Sequence, residues 1–280
     1  MEHDYAPRVL FRRDGYNRSE FGICSVFLPT IELRSSIAKN DKILCRYSCL
    51  PFYRELEKDI ENIGSSMYVP YSHHNTLSKI PNWYNEFSDL TPKTWFSIDD
   101  IDEDTPLFIK GEINSRKDRF KTHCYAANKQ EAVNVTDNLL MDTLIQDQQM
   151  CYRKFEDFVT FEKSLSGIPV IEEYRFFIFN GKIIGSSFYW SSHEEFVSST
   201  DPNRVPSAML EEIHRRMSKL GPTIYVVDIA RTVSKETKFG NWMIIEFNDF
   251  QMSGLSLIYG FDFYSNLKKE MYRTQGEYGA

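Results

Sequence analysis

The sequence has no apolar run near the roughly 18–20 residues that a membrane-spanning helix requires. Its opening stretch, MEHDYAPRVLFRRDG, also lacks the apolar centre of a secretory signal. Both absences predict a cytoplasmic protein with no membrane partner. Cysteine is scarce: there are five, an odd number without a CxxC pair, and only Cys45 and Cys49 lie close together. This argues against a disulfide framework or a structural zinc centre and predicts five reduced packing residues. With 13 glycines and 11 prolines, the chain is neither collagen-like nor of low complexity. Positive charge is in deficit: 33 Lys and Arg against 40 Asp and Glu give −7, which argues against a nucleic-acid-coating surface. The familiar nucleotide and metalloprotease signatures GxxxxGK[ST], GxGxxG, HRD with DFG, and HExxH are all missing.

What remains is a folded, aromatic-rich chain, 41% hydrophobic and 15% aromatic. Its 280 residues are long enough for two modest domains. The charge is concentrated: Asp99, Asp100, Asp102, Glu103 and Asp104 carry −5, which leaves −2 for the rest of the chain. A solvated acidic connector after Thr91-Pro92 places a domain boundary there, dividing 1–98 from 99–280.

In the first part, residues 8–11, 24–28 and 42–47 have the length and apolar content of short strands. Pro51 opens a helix over 52–63, whose apolar positions 52, 53, 56, 60 and 63 share a face, with Gly64 as its stop. The mixture reads as a small α/β unit. The second part begins with a strand over 105–110. Helical spacing follows at Ala132, Val135, Leu139, Leu140 and Leu144, and an extended stretch at 150–152. Segments 170–179 and 182–190 flank Asn180-Gly181, the residue pair a type I′ turn prefers, so a hairpin is predicted. A helix at 206–219 ends near Gly221-Pro222, and strands follow at 224–231 and 242–247.

Three constellations carry possible chemistry. Glu246 and Asn248 are two apart on an extended segment and share a face, and Asp228 lies on the preceding strand, so three oxygen ligands for Mg²⁺ can converge. The structural alternative is that Glu246 pairs with Arg231 or points to solvent. Next, Lys110 to Lys121 holds five basic and two acidic residues, net +3, a loop able to hold polyphosphate or simply to stay soluble. Finally, Tyr152-Arg153-Lys154-Phe155 and Glu173-Tyr174-Arg175 bring charge into apolar strands, where it requires partners.

In this order, Phe108 to Glu112, Tyr152 to Phe155, Glu173 to Ile178, Val227 to Ala230 and Ile245 to Asp249 resemble the ATP-grasp superfamily. The closest likeness is to its clade named for two arginines and a lysine, found in phage and bacterial genomes. The same order of motifs is seen in the eukaryotic ATP-grasp proteins that assemble a translation initiation factor. The resemblance implies an α+β fold, two α+β lobes clasping ATP, preceded by the small α/β unit. It implies that Lys110 meets the phosphates, that Tyr152, Arg153, Lys154 and Phe155 form the hinge beside adenine, and that Arg175 meets the γ-phosphate. Arg116, Lys117, Arg119 and Lys121 would cover the phosphates in place of a glycine-rich loop, Glu173 would line the nucleotide site, and Asp228, Glu246 and Asn248 would hold Mg²⁺. The implied reaction activates a carboxylate as an acylphosphate and joins it to an amine, with small-molecule or peptide substrates. The alternative is a non-catalytic ATP-binding assembly protein for a protein partner.

Overall fold

A computed structural model describes residues 7–12, 18–164, 167–234 and 240–276. The chain opens with β1 (Pro7–Leu10), α1 (Arg18–Phe27), β2 (Thr30–Ile31), β3 (Lys42–Cys45), α2 (Tyr53–Asn62) and β4 (Ser66–Met67). These strands form a parallel sheet in the order β2-β1-β3-β4. The predicted strand 24–28 is instead part of α1. Cys24 and Leu28 are buried one helical turn apart, whereas Val26, between them, is 66% exposed. The helical repeat therefore places the apolar face better than alternation does. The predicted helix after Pro51 is α2, and it buries Tyr53, Leu56 and Ile60.

Helices α3 (Tyr71–Ser78) and α4 (Ile80–Phe87) lead to β5 (Thr94–Trp95). The acidic run follows, with all five carboxylates exposed around a buried Ile101. Then come β6 (Leu107–Gly111), α5 (Phe120–His123), β7 (Tyr125–Ala126), α6 (Lys129–Leu140) and β8 (Met150–Lys154). They form an antiparallel sheet in the order β5-β8-β6-β7, which buries Leu107, Ile109 and Tyr152 against Ala132, Val135 and Leu139 of α6. Asn128 caps α6 by accepting from the Glu131 amide at 2.9 Å.

The remainder holds β9 (Thr160–Lys163), β10 (Pro169–Ile171), β11 (Glu173–Phe179), β12 (Lys182–Phe188), α7 (Ser207–Leu220), β13 (Ile224–Arg231), β14 (Trp242–Asn248) and α8 (Gly260–Gly276). The predicted hairpin is present: Asn180 and Gly181 take φ of 48° and 79° between β11 and β12. The central antiparallel sheet runs β12-β11-β13-β14 and is covered on both sides, which explains its near-continuous apolar strands. Phe176, Ile178, Val227 and Ile229 pack with Trp83, Phe87, Ile213 and Met217. Phe177, Phe179 and Val226 pack on the other face with Phe250, Phe263 and Leu267, and each fully buried phenylalanine contributes about 1.5–3 kcal/mol. All five cysteines are buried and free. Among the described residues, no helix is long and apolar enough to cross a membrane.

Candidate active site between two sheets

The apolar half of the second face ends where charge begins. Cross-strand pairing sets Phe179 opposite Ile224, Phe177 opposite Val226, Arg175 opposite Asp228, and Asp228 opposite Glu246. Residues directly opposite share a face. Moving along β11 from Phe179 toward Glu173, that face therefore changes from phenylalanine covered by α8 to a charged floor.

On this floor the Arg175 guanidinium forks onto Asp228, Nε to Oδ1 at 2.9 Å and Nη2 to Oδ2 at 2.8 Å. Its Nη1 donates to the Gly254 carbonyl at 3.2 Å. The guanidinium carbon lies 4.8 Å from the Tyr189 ring centroid. Asn248 Nδ2 donates to Asp228 Oδ2 at 3.2 Å and to Glu246 Oε1 at 3.3 Å, so the three oxygen-bearing side chains do converge. From β6 across the cleft, Lys110 brings Nζ to 3.3 Å from Glu246 Oε2. Glu246 thus turns to Lys110, while Arg231 lies over Trp242, 5.3 Å from its ring centroid.

Burial and charge compete at each acid. Burial raises the pKa of fully enclosed Asp228 despite Arg175 beside it. At Glu246 burial works the same way, but Lys110, then Lys117 and Arg175, outweigh it and hold the carboxyl well below the usual range. Glu173 is also buried, and its Oε1 has no hydrogen-bond partner. Burial pushes its pKa up to about 8 against Lys117, with Asp228 and Glu246 adding to the rise. Burial thus favours the protonated form of Glu173, in which it can donate a hydrogen bond.

A cleft opens between the two sheets. Lys110, Lys117, Glu173 and Glu246 lie along it, and Phe108, Phe120, Phe155 and Trp190 supply flat apolar walls. Lys154 and Phe155 of the expected hinge line it, Lys154 paired with Glu156 at 3.0 Å. Arg153 also reaches it, but its two terminal nitrogens are engaged by the scaffold. Nη1 donates to the Ile245 carbonyl at 2.6 Å and Nη2 to Thr91 Oγ1 at 2.7 Å, and the Thr91 hydroxyl donates to the Ile244 carbonyl at 2.7 Å. Arg153 therefore staples β8 to β14 and fixes the spacing of the two sheets. Tyr152 points away into the core under α6, where its hydroxyl accepts from Thr136 Oγ1 at 3.2 Å.

The basic loop divides its cations. Arg116 pairs with Asp142 at 2.6 Å, and Lys121 is exposed beside Gly167; neither lines the cleft. Lys117 turns inward instead, its Nζ 5.2 Å and 5.7 Å from the ring centroids of Tyr189 and Trp190. Burial disfavours its charge, yet Tyr189, Glu173, Glu246 and Asp228 more than restore it. Counting charge along the loop does not reveal which lysine turns in. The aromatic pair closing the predicted hairpin strand is the one sequence signal for it.

Two carboxylates and an amide form a hard oxygen set that suits Mg²⁺. Asn248 fits this use because turning its amide by 180° presents Oδ1 in place of Nδ2.

Several solved structures share this architecture. D-cycloserine synthetase DcsG matches with a TM-score of 0.62 at 11% identity, over 94% of this chain and 99% of its own. The ATP-grasp ligase PsnB, solved with its precursor peptide PsnA2 and AMPPNP, gives 0.59 at 11% identity over 98% and 99%. A RimK domain ATP-grasp protein from Sphaerobacter thermophilus gives 0.57 at 13% over 95% and 99%. At such identities the likeness is one of fold, and it bears out the α+β ATP-grasp architecture. Among curated proteins, no sequence matches. The model for the third ATP-grasp domain family of the clade named for two arginines and a lysine matches residues 99–270, so the chain belongs to that family.

Proposed function

We propose that this protein is an ATP- and Mg²⁺-dependent ligase that joins a carboxylate to an amine or similar nucleophile, releasing ADP and phosphate. The observation that carries this reading is the Arg175–Asp228 fork beside Glu246 and Asn248, facing Lys110 and Lys117 across one cleft. In this reading residues 1–98 form the N-terminal unit and 99–280 the nucleotide-binding unit. Adenine stacks among Phe108, Phe120 and Phe155, and Lys110 and Lys117 meet the phosphates. Arg175 uses three of its five N–H groups on Asp228 and Gly254, which leaves two for the γ-phosphate. Mg²⁺ held by Asp228, Glu246 and Asn248 would offset charge on the β- and γ-phosphates.

The substrate carboxylate attacks the γ-phosphorus, the bond to ADP breaks, and an acylphosphate forms. The amine then attacks the acyl carbon and phosphate leaves. No protein nucleophile is needed, so catalysis is positioning and charge stabilisation. A second crevice opens where β1 and β3 end, with Arg12, Arg34 and Tyr47 among its lining. The connections from β1 and β3 leave to opposite sides there, the switch point at which open α/β sheets take ligands, and we assign it to the acceptor. The ligase PsnB, of the same fold, binds a precursor peptide, which supports a peptide as one class of acceptor.

The test is untargeted mass spectrometry of a cell extract incubated with the protein and Mg·ATP, followed by ADP assays on the molecules consumed. The expected product has the mass of two substrates less one water, with ADP formed only when both are present. Tight ATP binding with no such product would favour the second reading, a non-catalytic assembly protein. That reading draws on Tyr259 and Phe261, 64% and 40% exposed, which stack with ring centroids 5.6 Å apart beside Phe27, an apolar patch of the kind protein partners cover.

A further inference from the structure

Away from the charged floor, three other side chains converge beside Trp190, a residue of the cleft wall. Glu162 on β9 and Glu195, in the turn after β12, bring Oε1 atoms to 2.9 Å and 3.3 Å from a single atom, Nδ1 of His193. The three potential ligand atoms lie within 4.8 Å of one another.

The centre of this set is an imidazole nitrogen, which separates it from a patch of surface acids. The imidazole is also held in place. Phe196 stacks against it at 6.3 Å and 24°, and Trp190 meets it edge-on at 6.4 Å. The His193 side chain is only 19% exposed, against 43% for Glu162 and 57% for Glu195. The half-buried imidazole is thus held between rings while the two carboxylates reach it from solvent. Charge favours a cation here. A divalent ion between the two carboxylates offsets the charge of both. Zinc bonds of about 2.0–2.1 Å to nitrogen and oxygen give a tetrahedron with edges of about 3.3 Å; the Glu195 contact at 3.3 Å already matches, and the Glu162 contact at 2.9 Å opens by a few tenths of an ångström when an ion enters.

We propose that Glu162, His193 and Glu195 bind a Zn²⁺ ion, with water completing the tetrahedron, at a site separate from Asp228, Glu246 and Asn248. One nitrogen and two carboxylate oxygens select a borderline metal such as Zn²⁺ over Mg²⁺. The site joins two walls of the cleft. Glu162 pairs across β9 with Val170 of β10, which runs on to the cleft residue Ile171. His193 follows Trp190, whose ring holds Lys117. A bound ion therefore ties the strand pair β9-β10 to the aromatic wall that positions Lys117.

Isothermal titration of ZnCl₂ into the full chain without nucleotide tests this, with circular dichroism confirming that each variant is folded. Wild type should bind one equivalent that His193→Ala loses and that the conservative pair Glu162→Gln with Glu195→Gln weakens at least ~10-fold. Glu246→Gln should keep that equivalent. The melting temperature of wild type should rise with Zn²⁺ and return with EDTA, and that of His193→Ala should not move. Zinc binding equal in wild type and in His193→Ala, or lost in Glu246→Gln instead, would overturn the proposal, as would no binding by wild type.

Discussion

Replacing Arg175 by alanine will lower ATP turnover by about 10³-fold, the scale on which an arginine stabilises a transferred phosphoryl group. The effect should fall on kcat, because the aromatic walls and Lys110 still hold nucleotide. Arg175 is also half of a pair with Asp228, whose side chain is fully enclosed, so the alanine variant leaves a buried carboxylate with Asn248 as its main partner. Breaking such a pair costs about 3–5 kcal/mol, so stability must be measured alongside rate. Arg175→Lys separates the two roles. It retains a cation for Asp228 and so most of the stability, but lacks the fork that contacts Asp228 and phosphate together. Steady-state ADP assays should find both variants slow and the lysine variant the more stable. Turnover within ~10-fold of wild type in Arg175→Lys and Arg175→Ala alike would remove Arg175 from the reaction.

Arg46→Ala should produce the largest loss of stability without touching the cleft. This arginine is 3% exposed and gathers three elements. Nε and Nη2 donate to Glu20 of α1 at 3.0 Å and 2.8 Å, Nη1 donates to the Phe250 carbonyl at 2.6 Å, and Nη2 also donates to the Ser253 carbonyl at 3.0 Å. Tyr264 of α8 donates to the same Glu20 oxygen at 2.6 Å. The variant strands two backbone carbonyls and a carboxylate, so urea unfolding should show a loss of about 3–5 kcal/mol. The loop it releases runs directly into Gly254, whose carbonyl Arg175 uses, so ATP turnover should fall too. A urea midpoint equal to that of wild type would show that the loop is held by other contacts.

The charged floor was legible in the sequence for a simple reason. Asp228, Glu246 and Asn248 interrupt strands that are otherwise apolar, alternation fixes their common face, and a short return connection fixes their pairing. The hairpin was legible because Asn180-Gly181 is chemically specific. Other features depend on partners far away in the chain. Residues 24–28 have strand-like composition, but α8 rewards the helical spacing of Phe21, Cys24 and Leu28. The two-residue strands β2, β4, β5 and β7 are too short to leave a periodic trace. In the basic loop, composition shows that a cation is available, while Asp142 claims Arg116 and the rings of Tyr189 and Trp190 claim Lys117. Arg153 has the same lesson: its position beside the cleft was readable, but its use as a staple depends on Thr91 and the Ile245 carbonyl.

The most direct test of the account is the melting temperature of the purified protein with and without Mg·ATP. Wild type should be stabilised, by about 2.7 kcal/mol at 100 times the Kd, and Lys110→Ala and Glu246→Gln should each lose most of that shift. A wild-type melting curve unmoved by saturating Mg·ATP would contradict the assignment of this cleft to the nucleotide.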